Sequence, residues 1–236
     1  MRDIVYIEGK KYHNELVLNR PEKLNAFSPE LVIKFHQALV QLQAAEPKLL
    51  IIKGAGNNFS SGHDVDTVIS KDNFEQFENQ LKILQEITEM IVSYEAPVIA
   101  QVEGYALGAG CEIALNCDLV YASEDAVLGF PELDVGLSIT QGSSYLLQKL
   151  VGPQKAKELI YFRKNIRATE AWELGLINEV IKKENITSSI EKKIEKLAKV
   201  KINSMSSVKK LFNYSAEHSL AESMKKESET LISLLR

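Results

Sequence analysis

Short apolar segments alternate with longer amphipathic segments along the first 182 residues of the chain. The segment IVYIEGKKYHNELVLN (4–19) predicts two short strands joined by a turn at Gly9–Lys10. Further buried strands are predicted at LLIIKGAG (49–56), PVIAQVEG (97–104) and LVYAS (119–123). Strands separated by helices in this way indicate an α/β fold with crossover connections.

The predicted helices have recognisable starts and ends. Ser28 followed by Pro29 predicts a helix N-terminus, because serine caps the free N–H groups and proline fits the first helical position. Pro47 and Pro97 follow the ends of this helix and of a longer one, and a third helix should begin near Ala109. Apolar residues at helical spacing predict the buried faces of the first two: Leu31, Phe35, Leu39 and Leu42, then Phe74, Phe77, Leu81, Leu84, Ile87 and Ile91.

The pattern becomes wholly helical after about residue 182. Ser188 and Glu191 have the spacing of a capping box, which predicts a helix start there. We therefore expect residues 1–184 to form the core and residues 185–236 to form a C-terminal helical region. The C-terminal helical region carries apolar residues at helical spacing, and such stripes more often pack within one chain than between chains. They are Ile190, Ile194, Leu197, Leu220, Met224, Leu231 and Leu235.

Composition narrows the class of protein. The chain has 236 residues, 45% of them apolar, and a formal net charge of -4, which suits one globular domain or a core with an appendage. This mild acidity predicts neither nucleic acid nor a membrane as a partner. Cys111 and Cys117 should be unbridged, and no signal peptide or membrane span is apparent, so we expect a cytoplasmic protein.

The glycine-rich stretch GYALGAG (104–110) could serve two kinds of site. A dinucleotide fingerprint fits poorly, because Ile113 occupies the third glycine position. A turn that leads from a strand end at Gly104 through a loop into the helix near Ala109 fits better, since it leaves backbone N–H groups free. NFSSGHD (58–64) predicts a second such turn, and two facing turns could hold a developing oxyanion.

The residues Ser61, His63 and Asp64 invite comparison with a nucleophilic triad. Triad members converge from distant segments, so residues this close in sequence cannot align in that way. We expect His63 to act through its backbone.

Two carboxylates occur in apolar surroundings. Glu112 is flanked by Cys111 and Ile113 on the predicted helix, and Glu132 lies in VLGFPELDVG (127–136). Each has an ordinary explanation: Glu112 could interact with its helix terminus, and Glu132 could be a surface acid that follows Pro131. Beside an oxyanion hole, however, the two could hold a water molecule and exchange protons with a carbon α to a thioester.

The order and spacing of several motifs resemble the crotonase (enoyl-CoA hydratase/isomerase) superfamily from about residue 5 to residue 230. The resemblance implies a spiral of ββα units followed by helices that build a homotrimer or a dimer of trimers. The motifs are LNRPEKLNAF (18–27), NFSSGHD (58–64), APVIAQVEGYALGAGCEIALNCDLVYAS (96–123), LGFPELDVGL (128–137), LVGPQKAKELI (150–160) and ATEAWELGLINEVI (168–181).

The same resemblance implies the chemistry. The substrate would be an acyl-CoA thioester, with its carbonyl oxygen bound by the backbone N–H groups of His63 and Ala109. Glu112 and Glu132 match the two glutamates of the hydratase branch, which implies hydration of a trans-2-enoyl-CoA. No metal and no cofactor are expected, because coenzyme A is part of the substrate. Further substrate or CoA contacts are implied at Lys23, Ala26, Ser61, Gly62, Asp64, Val65, Tyr105, Gly108, Pro131 and Thr140.

The chain departs from the family pattern at two places. Ile139 and Thr140 replace the usual proline and the usual glycine or aspartate, so the pocket floor should differ. The sequence ends at LISLLR, before the customary last helix, which predicts a more open site or weaker CoA binding. Alternative functions are enoyl-CoA isomerisation, acyl-CoA hydrolysis, or acyl-CoA binding by a catalytically idle oligomer.

Overall fold

A six-stranded sheet forms the centre of the molecule. The computed structural model describes residues 3–64 and 74–235. The strands follow the order β1-β2-β3-β4-β6-β9, with β1 antiparallel to β2 and the remaining pairings parallel. Their bounds are β1 Val5–Gly9, β2 His13–Leu18, β3 Leu49–Gly54, β4 Val98–Val102, β6 Leu119–Ser123 and β9 Glu179–Ile181.

A second, three-stranded sheet lies next to the glycine-rich stretch. It consists of β5 Tyr105–Leu107, β7 Val127–Gly129 and β8 Asn165–Arg167, in the order β5-β7-β8. The prediction of a loop between Gly104 and Ala109 is therefore wrong. The segment is a strand because β5 pairs in parallel with β7 on one side and bridges Ser60 on the other.

Helices cover both faces of the large sheet. Those before residue 182 are α1 Pro29–Gln43, α2 Phe74–Ser93, α3 Ala109–Leu115, α4 Ser143–Val151, α5 Pro153–Tyr161 and α6 Ala168–Glu173. The later helices are α7 Ile186–Leu197, α8 Ile202–Ser215 and α9 Leu220–Leu235. Short 3₁₀ helices occur at Pro21–Lys23, Glu132–Val135 and Lys183–Asn185. The alternation of strands and helices confirms the α/β prediction.

The predicted start of α1 is confirmed. Pro29 opens the helix, and the Ser28 Oγ accepts a hydrogen bond from the Leu31 N–H at 3.3 Å. The apolar stripe of α2 is only partly as predicted, because Leu84, Ile87 and Ile91 are buried whereas Phe74 is 71% exposed. Burial along α2 begins at Gln80, so its first turn lies outside the core.

The two faces of the sheet bury different helices. Leu50 and Ile52 of β3 point into the large core that includes α1, α2 and α3. The alternate residues Leu49 and Ile51 point to the other face, where α7 covers them with Ile186, Ile190 and Ile194. The sheet thus separates a face that carries α3 from a face that carries α7.

The capping box predicted at Ser188 and Glu191 is wrong. Helix α7 begins at Ile186, with Asn185 at the N-cap, and Ser188 lies inside the first turn. The Ser188 Oγ donates back to the Asn185 carbonyl at 3.0 Å. Because Ile186 is buried against the sheet, tertiary packing favours a helix that begins at Ile186 and not at the predicted Ser188.

The last helix leaves its apolar residues uncovered. Of the predicted stripes, Ile190 and Ile194 are buried within the chain, as expected. On α9, exposure ranges from 57% to 80%, at Leu220, Met224, Leu231 and Leu235. The boundary between residues 184 and 185 remains a prediction.

Two simpler expectations concern thiols and membranes. Cys111 and Cys117 are both buried and unbridged, as predicted. Within residues 3–64 and 74–235, none of the helices has the length and apolar character needed to span a bilayer.

Candidate active site

The two predicted turns are brought side by side. Ser60 forms a parallel bridge with Ala106 of β5: its N–H donates to the Tyr105 carbonyl, and its carbonyl accepts from the Leu107 N–H, both at 2.9 Å. The segment 60–64 therefore runs beside the strand that leads into α3. This pairing confirms that the turns face each other.

Glycine is required where these turns touch. A Cβ added to Gly62 would lie 2.7 Å from the Leu107 carbonyl oxygen and 3.3 Å from the Ala109 nitrogen. Gly62 and Gly108 also have φ angles of 89° and 53°, which side-chain-bearing residues rarely adopt. Small residues at both positions thus allow the backbone of one turn to approach the backbone of the other.

Two backbone N–H groups are free at this junction. Gly62 and Asp64 both bond to Phe27, so the N–H of His63 between them points to the opposite side. Ala109 is the first residue of α3, where an N–H has no partner within the helix. Within the described ranges, neither N–H has an acceptor among its backbone or side-chain neighbours. Two such donors form a potential oxyanion hole.

The imidazole of His63 is unsuited to general-base catalysis. Burial lowers the pKa of His63 to about 4, so its ring is too weak a proton acceptor for an efficient general base at neutral pH. Its ring packs edge-on against Phe77, with centroids 6.0 Å apart. The carboxylate of Asp64 forms an ion pair with Arg20, which leaves it outside any triad with Ser61. These contacts agree with a backbone role for His63.

Glu112 lies in the first turn of α3 and is held by donors from one loop. The residue is 1% exposed. Its carboxylate accepts from the Gln141 N–H at 3.1 Å, from the Thr140 N–H at 3.2 Å and from the Gln141 Nε2 at 3.4 Å. Burial raises the pKa of Glu112, and the N–H groups of Gln141 and Thr140 oppose that rise because they stabilise the charged form.

Glu132 presents a carboxylate of a different kind. It opens the 3₁₀ helix Glu132–Val135 and is 7% exposed, yet neither of its oxygens accepts a hydrogen bond from the described residues. A Cβ on Gly108 would lie 3.3 Å from the Glu132 Oε1, so this carboxylate lies beside the turn that leads to the Ala109 N–H. Burial raises the pKa of Glu132 to about 7, and the charge of Glu112 contributes to the rise.

Neither ordinary explanation of the two acids fits this geometry. Glu132 is not a surface acid, because its carboxylate is buried. Glu112 is not satisfied by its own helix terminus, because its donors come from residues 140 and 141. The structure therefore brings together the four groups that the sequence singles out: Glu112, Glu132 and the amides of His63 and Ala109.

Several supporting residues were not predicted. Asn116, just after α3, donates from its Nδ2 to the Glu112 carbonyl and to the Gln141 carbonyl, at 2.8 and 2.9 Å, and so ties the loop to the helix. Asn25 is fully buried, and its Nδ2 donates to the carbonyls of Ala55 and Asn58 at 3.0 and 2.7 Å. Neither asparagine lies beside a glycine in the sequence, so no local signal marked these two residues.

The residues implied as substrate contacts have different surroundings. Thr140 lies at Glu112, and Pro131 directly precedes Glu132. Ala26 is buried, and Tyr105 is 43% exposed. The Ser61 N–H donates to the Leu24 carbonyl, next to Lys23. Val65 lies outside the described residues, and the substrate contacts of the whole set remain predictions.

Comparisons with known proteins agree with this architecture. A profile of the enoyl-CoA hydratase/isomerase family matches residues 14–235. The crotonyl-CoA hydratase of Syntrophomonas wolfei is 35% identical over 190 residues, which make up 80% of this chain and 73% of that protein.

Solved structures show the same fold. The enoyl-CoA hydratase of Bacillus anthracis superposes with a TM-score of 0.94 at 27% identity, covering 99% of this chain and 91% of that one. A Thermobifida fusca protein in complex with CoA superposes with a TM-score of 0.89 at 25% identity, covering 98% and 92% of the two chains. The predicted crotonase-like fold with a C-terminal helical region is confirmed.

Proposed function

The chain belongs to the enoyl-CoA hydratase/isomerase family, and from that premise we propose that it adds water across the 2,3 double bond of a trans-2-enoyl-CoA. The observation that carries this proposal is the pair of buried carboxylates beside two free amides. Glu112 is held by three N–H donors, and Glu132 accepts a hydrogen bond from none of the residues in 3–64 and 74–235. The CoA bound to the related Thermobifida fusca structure supports an acyl-CoA ligand.

Hydration needs one proton to be removed and one to be delivered. The oxygen of the water bonds to C3 of the substrate while a carboxylate takes a proton from that water. The C2 carbon then takes a proton from an acid. Glu132 is the proton donor in this scheme, because a pKa of about 7 leaves it partly protonated at neutral pH. The two glutamates hold the water between them, and Glu112, whose ionised form its N–H donors stabilise, is the carboxylate that takes its proton. Return of this proton to Glu132 restores both acids for the next turnover.

The free amides stabilise the charge that this reaction creates. Attack at C3 moves negative charge onto the thioester oxygen, and the N–H groups of His63 and Ala109 are the donors for it. The positive end of helix α3 acts in the same direction. Four protein groups therefore supply the whole reaction, and we propose that it requires no cofactor beyond the CoA moiety of the substrate.

Mixing the protein with crotonyl-CoA tests this function directly. Hydration destroys the conjugated thioester, so its ultraviolet absorbance should fall in the presence of the native chain. The fall should be abolished by Glu132→Gln but retained by Glu124→Gln, which removes an exposed carboxylate outside the site. Unchanged absorbance with the native chain would refute hydration, and tight CoA binding under those conditions would favour an idle binding protein.

The sibling reactions predict different outcomes of related assays. An isomerase would convert a 3-enoyl-CoA into the 2-enoyl form and would not need Glu112, so Glu112→Gln would keep full activity. A hydrolase would release a free CoA thiol from a saturated acyl-CoA. Assays of both substrates beside crotonyl-CoA separate these reactions from hydration.

The assembly and location are further proposals. We propose a homotrimer or a dimer of trimers in the cytoplasm, with the exposed apolar residues of α9 contributing to the contacts. The family resemblance supports the assembly more strongly than the stripe does. Sedimentation at micromolar concentration should give a multiple of the 26.4 kDa chain mass, and a single-chain mass would refute the proposal.

A further inference from the structure

A buried histidine and two glutamates meet between β2 and α7. His13 and Glu15 alternate along β2 and are 1% and 4% exposed. The side chain of Glu191, on α7, is 42% exposed. The His13 Nε2 lies 3.7 Å from the Glu15 Oε1 and 3.5 Å from the Glu191 Oε1, and one ligand atom from each residue falls within 4.8 Å of the others.

The imidazole of His13 is buried without a hydrogen bond. Neither ring nitrogen forms a hydrogen bond with the described residues, and Nε2 has only its ion-pair contacts with Glu15 and Glu191. At 3.7 and 3.5 Å from Nε2, the Glu15 and Glu191 oxygens lie at ion-pair distance from the ring and are not hydrogen-bonded to it. A polar group left buried and unpaired costs stability, and such groups in native proteins usually have an unseen partner.

The two separations from the His13 Nε2 agree with ligands of one metal ion. Two ligands bound tetrahedrally at about 2.0–2.2 Å lie about 3.3–3.6 Å from each other. The His13–Glu191 distance falls in this range, and the His13–Glu15 distance is 0.1 Å beyond it. We propose that His13, Glu15 and Glu191 bind a divalent transition-metal ion of the Zn²⁺ class, with a water molecule as the fourth ligand.

The surrounding charges suit this site. The Lys53 Nζ bonds the other oxygen of Glu15, Oε2, at 2.8 Å, and so leaves Oε1 for the ion. Lys53 and the ion together would compensate both carboxylates. The partly exposed Glu191 gives the ion a route from solvent, which a fully enclosed cluster would lack.

The site is separate from the candidate active site. His13 pairs with Leu49 and Glu15 pairs with Ile51, so both side chains lie on the sheet face that α7 covers. Helix α3, which carries Glu112, packs on the opposite face. A bound ion would link β2 to α7 and stabilise the packing of the C-terminal region, without taking part in the reaction at Glu112 and Glu132.

Calorimetric titration of the purified full chain with Zn²⁺ alone tests this proposal. One saturable site per chain is expected, and binding should raise the unfolding temperature because the ion binds only the folded arrangement. Glu191→Gln should weaken Zn²⁺ binding by at least about 10–100-fold, since even partners of metal ligands contribute that much. Mg²⁺, which prefers an octahedral set of oxygens, should bind far more weakly.

Matched variants make the result specific. Glu195→Gln removes an exposed carboxylate one turn further along α7, and His36→Asn removes a histidine that faces Glu86 instead. Both should keep full Zn²⁺ affinity, whereas His13→Asn should lose it. No saturable binding by the native chain at micromolar concentration overturns the proposal. Unchanged affinity in Glu191→Gln also overturns it, and that surface variant does not depend on how well His13→Asn folds.

Discussion

The two segments that carry the acids solve the problem of a buried carboxylate in different ways. Glu112 comes from a helix, and the neighbouring loop turns the Thr140 and Gln141 N–H groups towards it. Glu132 comes from a short 3₁₀ helix, and its buried oxygens find no donor among the described residues. The first arrangement surrounds a carboxylate with donors that favour its ionised form, whereas the second keeps a carboxylate close to the point of protonation.

This difference suits groups that share one water molecule. Two close carboxylates with equal environments would share a proton, and their two titration steps would belong to the pair, so neither residue would be the defined acid or the defined base. Donors on Glu112 alone separate the two, because hydrogen bonds to a carboxylate favour its ionised form while bare burial favours the protonated form. The raised pKa of Glu132, to about 7, is the consequence.

Substitution of either glutamate by glutamine should have the largest effect. Glu112→Gln and Glu132→Gln preserve size but cannot exchange protons, so each should lower kcat by about 10²–10⁴. Crotonyl-CoA hydration, measured by absorbance, gives both values. Glu124→Gln should remain at the native rate, since that residue is exposed and outside the site.

The double variant examines whether the two acids act on one water. Its loss should be much smaller than the product of the two single losses, because the second substitution removes little from a site already unable to activate water. A double-variant loss of kcat equal to the product of the two single losses would mean that the acids act independently. Native activity in Glu112→Gln would remove the anchored carboxylate from the mechanism.

Removal of the backbone N–H of Ala109 should have the next largest effect. Proline fits the first position of a helix but has no N–H, so Ala109→Pro should lower kcat by about 10²–10³ with a modest loss of stability. Ala109→Gly keeps the donor and should remain active. Circular dichroism confirms the fold of both variants, and equal activities would show that the Ala109 amide does not bind the oxyanion.

The sequence was most informative where spacing reports backbone structure directly. The Ser28–Pro29 start of α1 and the beginning of α3 at Ala109 both appear as predicted, because caps and glycine turns are local signals. The same signal failed at Ser188, where the burial of Ile186 moved the helix start. Contacts with a distant part of the chain determine where that helix begins, so the local sequence alone does not predict the boundary.

The candidate site likewise has features that the sequence predicts and features that only the folded structure shows. Glu112 and Glu132 stood out because acids in apolar segments are rare, and the turns stood out through their glycines. The unequal support of the two acids could not be predicted, since it depends on the backbone direction of Thr140 and Gln141 and not on their side-chain types. The role of Asn116 is likewise visible only once that loop lies on the helix.

Removal of the Asn116 side chain, which holds the loop of residue 141 close to Glu112, should have a smaller effect. Asn116→Ala removes the two bonds that tie residue 141 to α3, so Glu112 should lose alignment and kcat should fall by about 10–100-fold. The KM should change little if Asn116 acts only through Glu112. Asn213→Ala is the control, because Asn213 also donates to a carbonyl, that of Val92, but elsewhere. A changed KM with native kcat would contradict this positioning role.

The smallest effect concerns stability and tests the unpaired state of Glu132 without substrate. Its pKa rises from 4.5 to about 7 on folding, so the native state binds more protons than the unfolded state between these pH values. The stabilisation is present below pH 4.5 and is lost as pH rises towards 7. At pH 8, Glu132→Gln should therefore be more stable than the native chain by about 1–3 kcal/mol, and the difference should shrink on acidification. Glu112→Gln should instead be destabilised near pH 5, because it replaces one acceptor oxygen with an NH2 group that faces N–H donors. Urea unfolding at fixed protein concentration, repeated from pH 5 to pH 8, measures both. If Glu132→Gln gains no stability over the native chain between pH 5 and pH 8, the Glu132 carboxylate does not have the raised pKa that its burial indicates.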